Sequence, residues 1–207
     1  EQNQITTAYR LGSGFLHLAR VREATTPITA IATQTVEWLC DCTRETAHAS
    51  VGSPNALITS AHKEPQRGTV VMIDPTEPLP FHATASGIVF LAFNDADLLE
   101  NLLKKPLKKH TDHTENDPDA VRARVARARR DGYYLNEHGF ESDVEDLAAP
   151  YLNADGTAAG AIAVAMPTTR KTDEQIHMVK QHVAAASARI TTAIGGVVHP
   201  SIQKLIV

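Results

Sequence analysis

The chain has 207 residues, 43% of them hydrophobic, with 24 acidic against 20 basic side chains and a net charge of −4. That is enough apolar material for one substantial core, and the charge argues against non-specific nucleic-acid binding, which needs an excess of Lys and Arg to neutralise phosphates. Every apolar run is shorter than the ~20 residues of a membrane helix, and EQNQITTAYR has no signal-peptide layout, so a cytoplasmic protein with no membrane partner is expected.

From the N-terminus, Leu11 to Val21 is amphipathic, with Phe15 and Leu18 as apolar side chains that one domain need not bury by itself. Residues 1–26 are therefore expected to form a linker or interface helix segment. Pro27 to Thr43 places Ile28, Ile31, Ala32, Thr35, Val36 and Leu39 on one helical face, with Pro in the first turn. Cys40 and Cys42 fall in this same helix, a spacing that suits neither a disulfide between them nor a zinc site, and a packing role is expected for both. Thr46 to Val51, Ala56 to Ala61 and Thr69 to Ile73 read as three strands of a meander, separated by SPN and EPQRG turn chemistry.

In LPFHATASGIVFLAF, Leu79 to Phe93, a run of tiny residues precedes an apolar block that predicts a helix over Ala83 to Phe93. Two readings stand. Thr84 caps a buried helix, or the bare N–H groups at a helix start with small side chains hold an anion. Asp95 to Lys105 continues as a second short helix. LKKHTDHTENDP is a loop, and its His110, Asp112 and His113 are not expected to bind metal. Asp117-Pro118 then opens a helix that runs to about Arg130. Its arginines (Arg122, Arg124, Arg127, Arg129, Arg130) read as the solvated face around an apolar stripe of Val121, Val125 and Ala128 rather than as a nucleic-acid surface.

GYYL, EDLAAPYL and AAGAIAVAMP read as strands, the last two joined by a turn at Asn153 to Gly156. Along the final strand Ile162, Val164 and Met166 point one way and Ala161, Ala163 and Ala165 the other, leaving one face lined by methyl groups alone. A closely packed helix or space for a ligand accounts for such a face. A long amphipathic helix from Asp173 to Ile194, stopped by Gly195-Gly196, and a tail over 197–207 complete the chain. Strands in two groups flanked by helices indicate an α+β fold with a curved, mostly antiparallel sheet of about six strands.

YRLGSGFLHLA, TRETAHASV, LPFHATASG, RRDGYYLNE and LAAPYLNADGTAAGAIAVAMPTTRKT, in this order over nearly the whole chain, resemble the effector-binding domain of the IclR family of bacterial and archaeal transcription regulators. The resemblance implies a GAF-like domain over residues 27–196 with a small-molecule pocket on one sheet face. It also implies that the family's N-terminal winged helix-turn-helix domain, through which DNA would be bound, is absent from this chain. Homodimers or homotetramers, a small-molecule effector of carboxylic-acid type and no cofactor are expected partners on the same ground. Carried over position by position, the effector contacts fall on Val71, Leu79, Ala85, Ser86, Gly87, Asn136, Asp146, Ala163 and Ala165. A carboxylate at the helix start would take the N–H groups of Ser86 and Gly87 as donors. This chain departs from the family in having Ile88 where Lys is usual and Asp143 where Gly is common, and Ala163 and Ala165 replace serines of some relatives. Fewer hydroxyl donors favour an apolar body on the ligand, such as an aromatic ring. Asp146 either repels an acid and welcomes a hydroxyl or amine, or is bonded within the protein.

A non-enzymatic sensor is thus the expected function. The rival is an enzyme on the same scaffold using Cys40, Cys42 or a metal. A purely structural dimerisation module is a third reading, and it leaves the methyl-lined face unexplained.

Overall fold

In a computed structural model of the chain, residues 14–18, 21 and 28–206 are described. Helix α1 (Ile28–Thr43) leads into strands β1 (Thr46–Gly52) and β2 (Leu57–Lys63). Helices α2 (Ala85–Ala92), α3 (Ala96–Leu103) and α4 (Pro118–Asp131) follow. Strands β3 (Tyr134–Glu137), β4 (Val144–Leu152) and β5 (Ala158–Pro167), then α5 (Asp173–Ala193) and the short α6 (Pro200–Gln203), complete the chain. The strands form one five-stranded sheet in the order β2-β1-β5-β4-β3, with every neighbouring pair antiparallel.

The expected third strand at Thr69 to Ile73 is not one, which makes five strands rather than about six. No strand pairs with it, and side chains take three of its backbone groups. The Thr46 hydroxyl donates to the Val71 carbonyl at 2.7 Å, Arg170 Nη1 donates to the Thr69 carbonyl at 3.1 Å, and the Ile73 N–H donates to Glu64 at 3.3 Å. The same Arg170 pairs bidentately with the buried Glu45 at 2.7 and 2.5 Å, so one guanidinium joins the start of β1 to the turn after β5.

Helices cover both sheet faces. On one, Val36 and Leu39 of α1 and Val179 and Val183 of α5 close over Ile162, Val164 and Met166. Burying each such side chain fully contributes about 1.5–3 kcal/mol. On the other, α2 lies against Ala161 and Ala163, and α4 packs outside it through Val121, Val125 and Ala128. Ile202 of α6, in the expected tail, is fully buried in this same core. Helix α4 begins with Asp117 accepting from the Ala120 N–H and ends at Gly132 in the left-handed region (φ 83°).

All five arginines of α4 have partners within the chain. Arg122 meets Glu100 and Asp119, Arg124 meets Glu115, Arg130 meets Asp131, and Arg127 and Arg129 lie over the rings of Tyr134 and Phe93. The solvated-face reading fits these contacts. Of the amphipathic segment expected over Leu11 to Val21, residues 14–18 are helical with Phe15 and Leu18 well exposed; residues 11–13 and 19–20 lie outside the described residues. Among the described residues no helix is long and apolar enough to cross a membrane, and no group of three or more His, Cys, Asp or Glu side chains is placed to hold a metal.

Candidate functional site

The register of the sheet lays out the site. Thr46 of β1, Ala165 of β5, Asp146 of β4 and Asn136 of β3 fall in one cross-strand row, and His48, Ala163, Ala148 and Tyr134 fall in the row next to it on the same face. Helix α2 starts above these rows. Its eight residues are all buried, and Gly87 is required there because a Cβ would stand 2.3 Å from the backbone oxygen of Phe81.

The first turn of α2 is held by a small network. Thr84 is the N-cap: its Oγ1 accepts from the Gly87 N–H at 3.0 Å, and its hydroxyl donates to the Pro80 carbonyl at 2.9 Å. The Ala85 N–H donates to Asp146 Oδ2 at 2.6 Å. Asn136 Nδ2 donates both to Asp146 Oδ1 at 2.7 Å and to the Ala83 carbonyl at 3.0 Å. Both readings of the helix start therefore apply in part. Thr84 does cap it, and the anion it holds is the protein's own carboxylate. The expectation that Gly87 offers its N–H to a ligand is corrected, because that donor closes the cap; the Ser86 N–H is the one in this turn with no acceptor among the described residues.

Burial pushes the Asp146 carboxyl up to about 6, against the opposing pull of its hydrogen bonds from Asn136 and Ala85. Burial, with His62 nearby, pushes the imidazole of His48 down to about 4, so it is neutral at pH 7. His48 Nε2 lies 3.4 Å from the Ser86 hydroxyl, while its Nδ1 is buried without a hydrogen-bond partner. An unpartnered buried ring nitrogen costs free energy unless something fills the position.

A cavity of about 50 Å³ opens on this network. Val71, Leu79, Asp146 and Ala165, four of the expected contacts, line it. The other five stand behind the lining. Ala85 and Asn136 hold Asp146, Ser86 reaches His48, Gly87 lies against Phe81, and Ala163 is fully buried in the core beneath α2. His48, Ile73, Thr84, Phe140, Glu141 and Val144 complete the lining without having been expected there. Burial, with Asp143 and Glu77 nearby, also raises the Glu141 carboxyl above its ordinary value. For His48 a signal was present: in TAHAS the alternation that sends Ala47 and Ala49 into one core puts Thr46, His48 and Ser50, all polar and buried, on the cavity face.

Residues 23–192 match the family described as bacterial transcriptional regulator IclR, C-terminal. The chain belongs to this family. It is 37% identical to a protein of known structure from Silicibacter sp. TM1040, described as an ICLR transcriptional regulator, with a TM-score of 0.92 over 97% of this chain and 80% of that one. It is 26% identical to the HTH-type transcriptional regulator BhcR of Paracoccus denitrificans over 89% of this chain and 64% of that protein, so it spans less than two thirds of that relative's length. An IclR homologue from Microbacterium hydrocarbonoxydans shares the fold at 24% identity and a TM-score of 0.76, over 92% of this chain and 77% of that one.

Proposed function

We propose that the chain is the effector-sensing part of an IclR-type regulator and that the cavity at the start of α2 receives a small organic acid. DNA binding is then the task of a separate winged helix-turn-helix domain, and the sensing domain works as a homo-oligomer. The observation that carries the site is His48: a neutral, buried imidazole with an unpartnered Nδ1 at a cavity whose apolar walls are Val71, Ile73, Leu79, Phe140, Val144 and Ala165, beside the carboxyls of Asp146 and Glu141. In the tautomer with a proton on Nδ1 it offers one donor to a ligand carboxylate, while the hydrocarbon walls take the ligand's body. Asp146, already accepting from Ala85 and Asn136, keeps lone pairs for a ligand hydroxyl. The Microbacterium homologue was crystallised with 4-hydroxybenzoate, which carries both groups. The present cavity is well below the roughly 300–1,000 Å³ of drug-sized sites. About 50 Å³ is little more than the space of one or two waters, so either acid enters only when the segments around Ile73 and Phe140 move outward, an aromatic acid more than a compact one.

A sensor is favoured over an enzyme because neither thiol is activated. Burial, with Asp41 beside it, raises the pKa of Cys40 and of Cys42 alike. The test is a titration of the isotope-labelled chain with lactate and with 4-hydroxybenzoate. Saturable shifts centred on the amides of His48, Leu79 and Asp146 are expected for at least one of them. Binding of neither acid there, or binding that persists unchanged in His48→Phe, overturns the reading.

A further inference from the structure

A second and larger cavity, about 450 Å³, lies outside this site between the turn joining β1 to β2, the segment that enters α2, and the chain from α3 to His110. Its volume falls in the range of sites that enclose small organic molecules. Buried Phe81 and the half-buried Leu98 and Leu102 supply apolar walls, and exposed Lys105 and Lys108 stand at its margin. No carboxylate lines it, and neither lysine forms an ion pair among the described residues. Asn101 takes the Lys104 ammonium on its Oδ1 at 2.8 Å, which leaves its amide N–H groups to donate.

This cavity shares no lining residue with the first, yet the two are separated by one layer of chain. Along the segment entering α2, Pro78, Pro80 and Phe81 face the large cavity while Leu79 and Thr84 face the small one. His110 of the large cavity also touches the ring of Phe140 of the small one, with ring centroids 5.1 Å apart.

We propose that the large cavity is a second small-molecule site whose ligand is an organic anion with an apolar body, an aryl or branched-alkyl carboxylate. The hydrocarbon walls receive the body, and the Lys105 and Lys108 ammonium groups, which form no ion pair among the described residues, receive the charge with the Asn101 amide. A neutral molecule of the same shape forfeits the charged part of this, worth about tenfold in affinity. A cation meets two like charges.

The experiment titrates the isotope-labelled chain with benzoate and, separately, with benzyl alcohol, reading amide shifts and heats of binding. Saturable benzoate shifts at Phe81, Leu102 and Leu107 are expected, with benzyl alcohol binding there about tenfold more weakly. The double variant Lys105→Gln, Lys108→Gln should lose most of the benzoate preference while keeping the parent's melting temperature and its affinity for benzyl alcohol. The proposal fails if neither compound gives saturable shifts at these residues, if the two bind equally, or if the double variant binds benzoate as the parent does. Benzoate shifts confined to His48, Asp146 and Ala165 would likewise remove this site while leaving the effector reading intact, so the two claims fail separately.

Discussion

The two faces of β5 differ in one property, side-chain volume, and the difference places the site. Ile162, Val164 and Met166 fill the space beneath α1 and α5 with large side chains and leave only core there. Ala161, Ala163 and Ala165 are as apolar but much smaller, and they let α2 settle close enough that all eight of its residues are buried. The methyl-lined face is itself not uniform. Ala163, between His48 and Ala148 in its row, is core under the helix; Ala165, between Thr46 and Asp146 one row away, borders a cavity. A closely packed helix and an open cavity, matching the two alternatives set out above, thus occupy different rows of one strand.

Substitutions at the two alanines should break this comparison if it is wrong. The largest effect is expected for Ala163→Phe, which forces a ring into a fully buried position beneath α2. Inserting extra methylenes into a well-packed core costs about 1–3 kcal/mol and a whole ring exceeds that, so the domain should lose more than about 3 kcal/mol or fail to fold, as read by thermal and urea unfolding. A melting temperature near that of the parent would show that space continues under the helix, and the cavity would then have to be redrawn to include Ala163.

Ala165→Val should behave differently. Its added methyl groups project into the cavity, so stability should stay within about 1.5 kcal/mol of the parent, while acid affinity falls at least about tenfold. Calorimetric titration of the variant with whichever of lactate and 4-hydroxybenzoate the parent binds more tightly is the measurement. Undiminished affinity would move the effector away from β5.

Much of this was legible from residues alone. The alternation in AAGAIAVAMP announced two unlike faces, and Thr84 announced the cap of α2. What escaped were relations across the chain. That Asp146 would take the Ala85 N–H depends on β4 passing under a helix start 61 residues earlier in sequence, and no local pattern encodes that meeting. Thr69 to Ile73 has strand-like composition, but its partners are single side chains from distant elements, Thr46, Glu64 and Arg170, so propensity misread it. Phe140, Glu141 and Val144 sit around a turn whose shape comes from local bonds such as that from His138 Nδ1–H to the Ser142 carbonyl, and nothing in their order marks them as cavity wall.

The smallest effect, and the one that sharpens the chemistry of the site, is in pH. Asp146 titrates at about 6 in the free protein, whereas His48, at about 4, stays neutral above that pH. A ligand carboxylate bound beside Asp146 disfavours its ionised form and raises its pKa further, and this like-charge effect outweighs the opposite pull of a ligand hydroxyl donating to it; Glu141, already raised, faces the same cavity and responds in the same direction. Raising a pKa on binding means that protons are taken up, so affinity must fall as pH rises. A further rise of about one unit at Asp146 makes the acid bind about fivefold more tightly at about pH 6 than at about pH 8. Titrations in buffers of different ionisation enthalpy should show fractional proton uptake near neutral pH, and Asp146→Asn should flatten the dependence at the expense of one of the two hydrogen bonds the carboxylate accepts. Proton release, or affinity that grows toward alkaline pH, would reverse the assignment: the occupant would then be an amine or other donor pairing with ionised Asp146, and the acid reading would fall while the cavity stood.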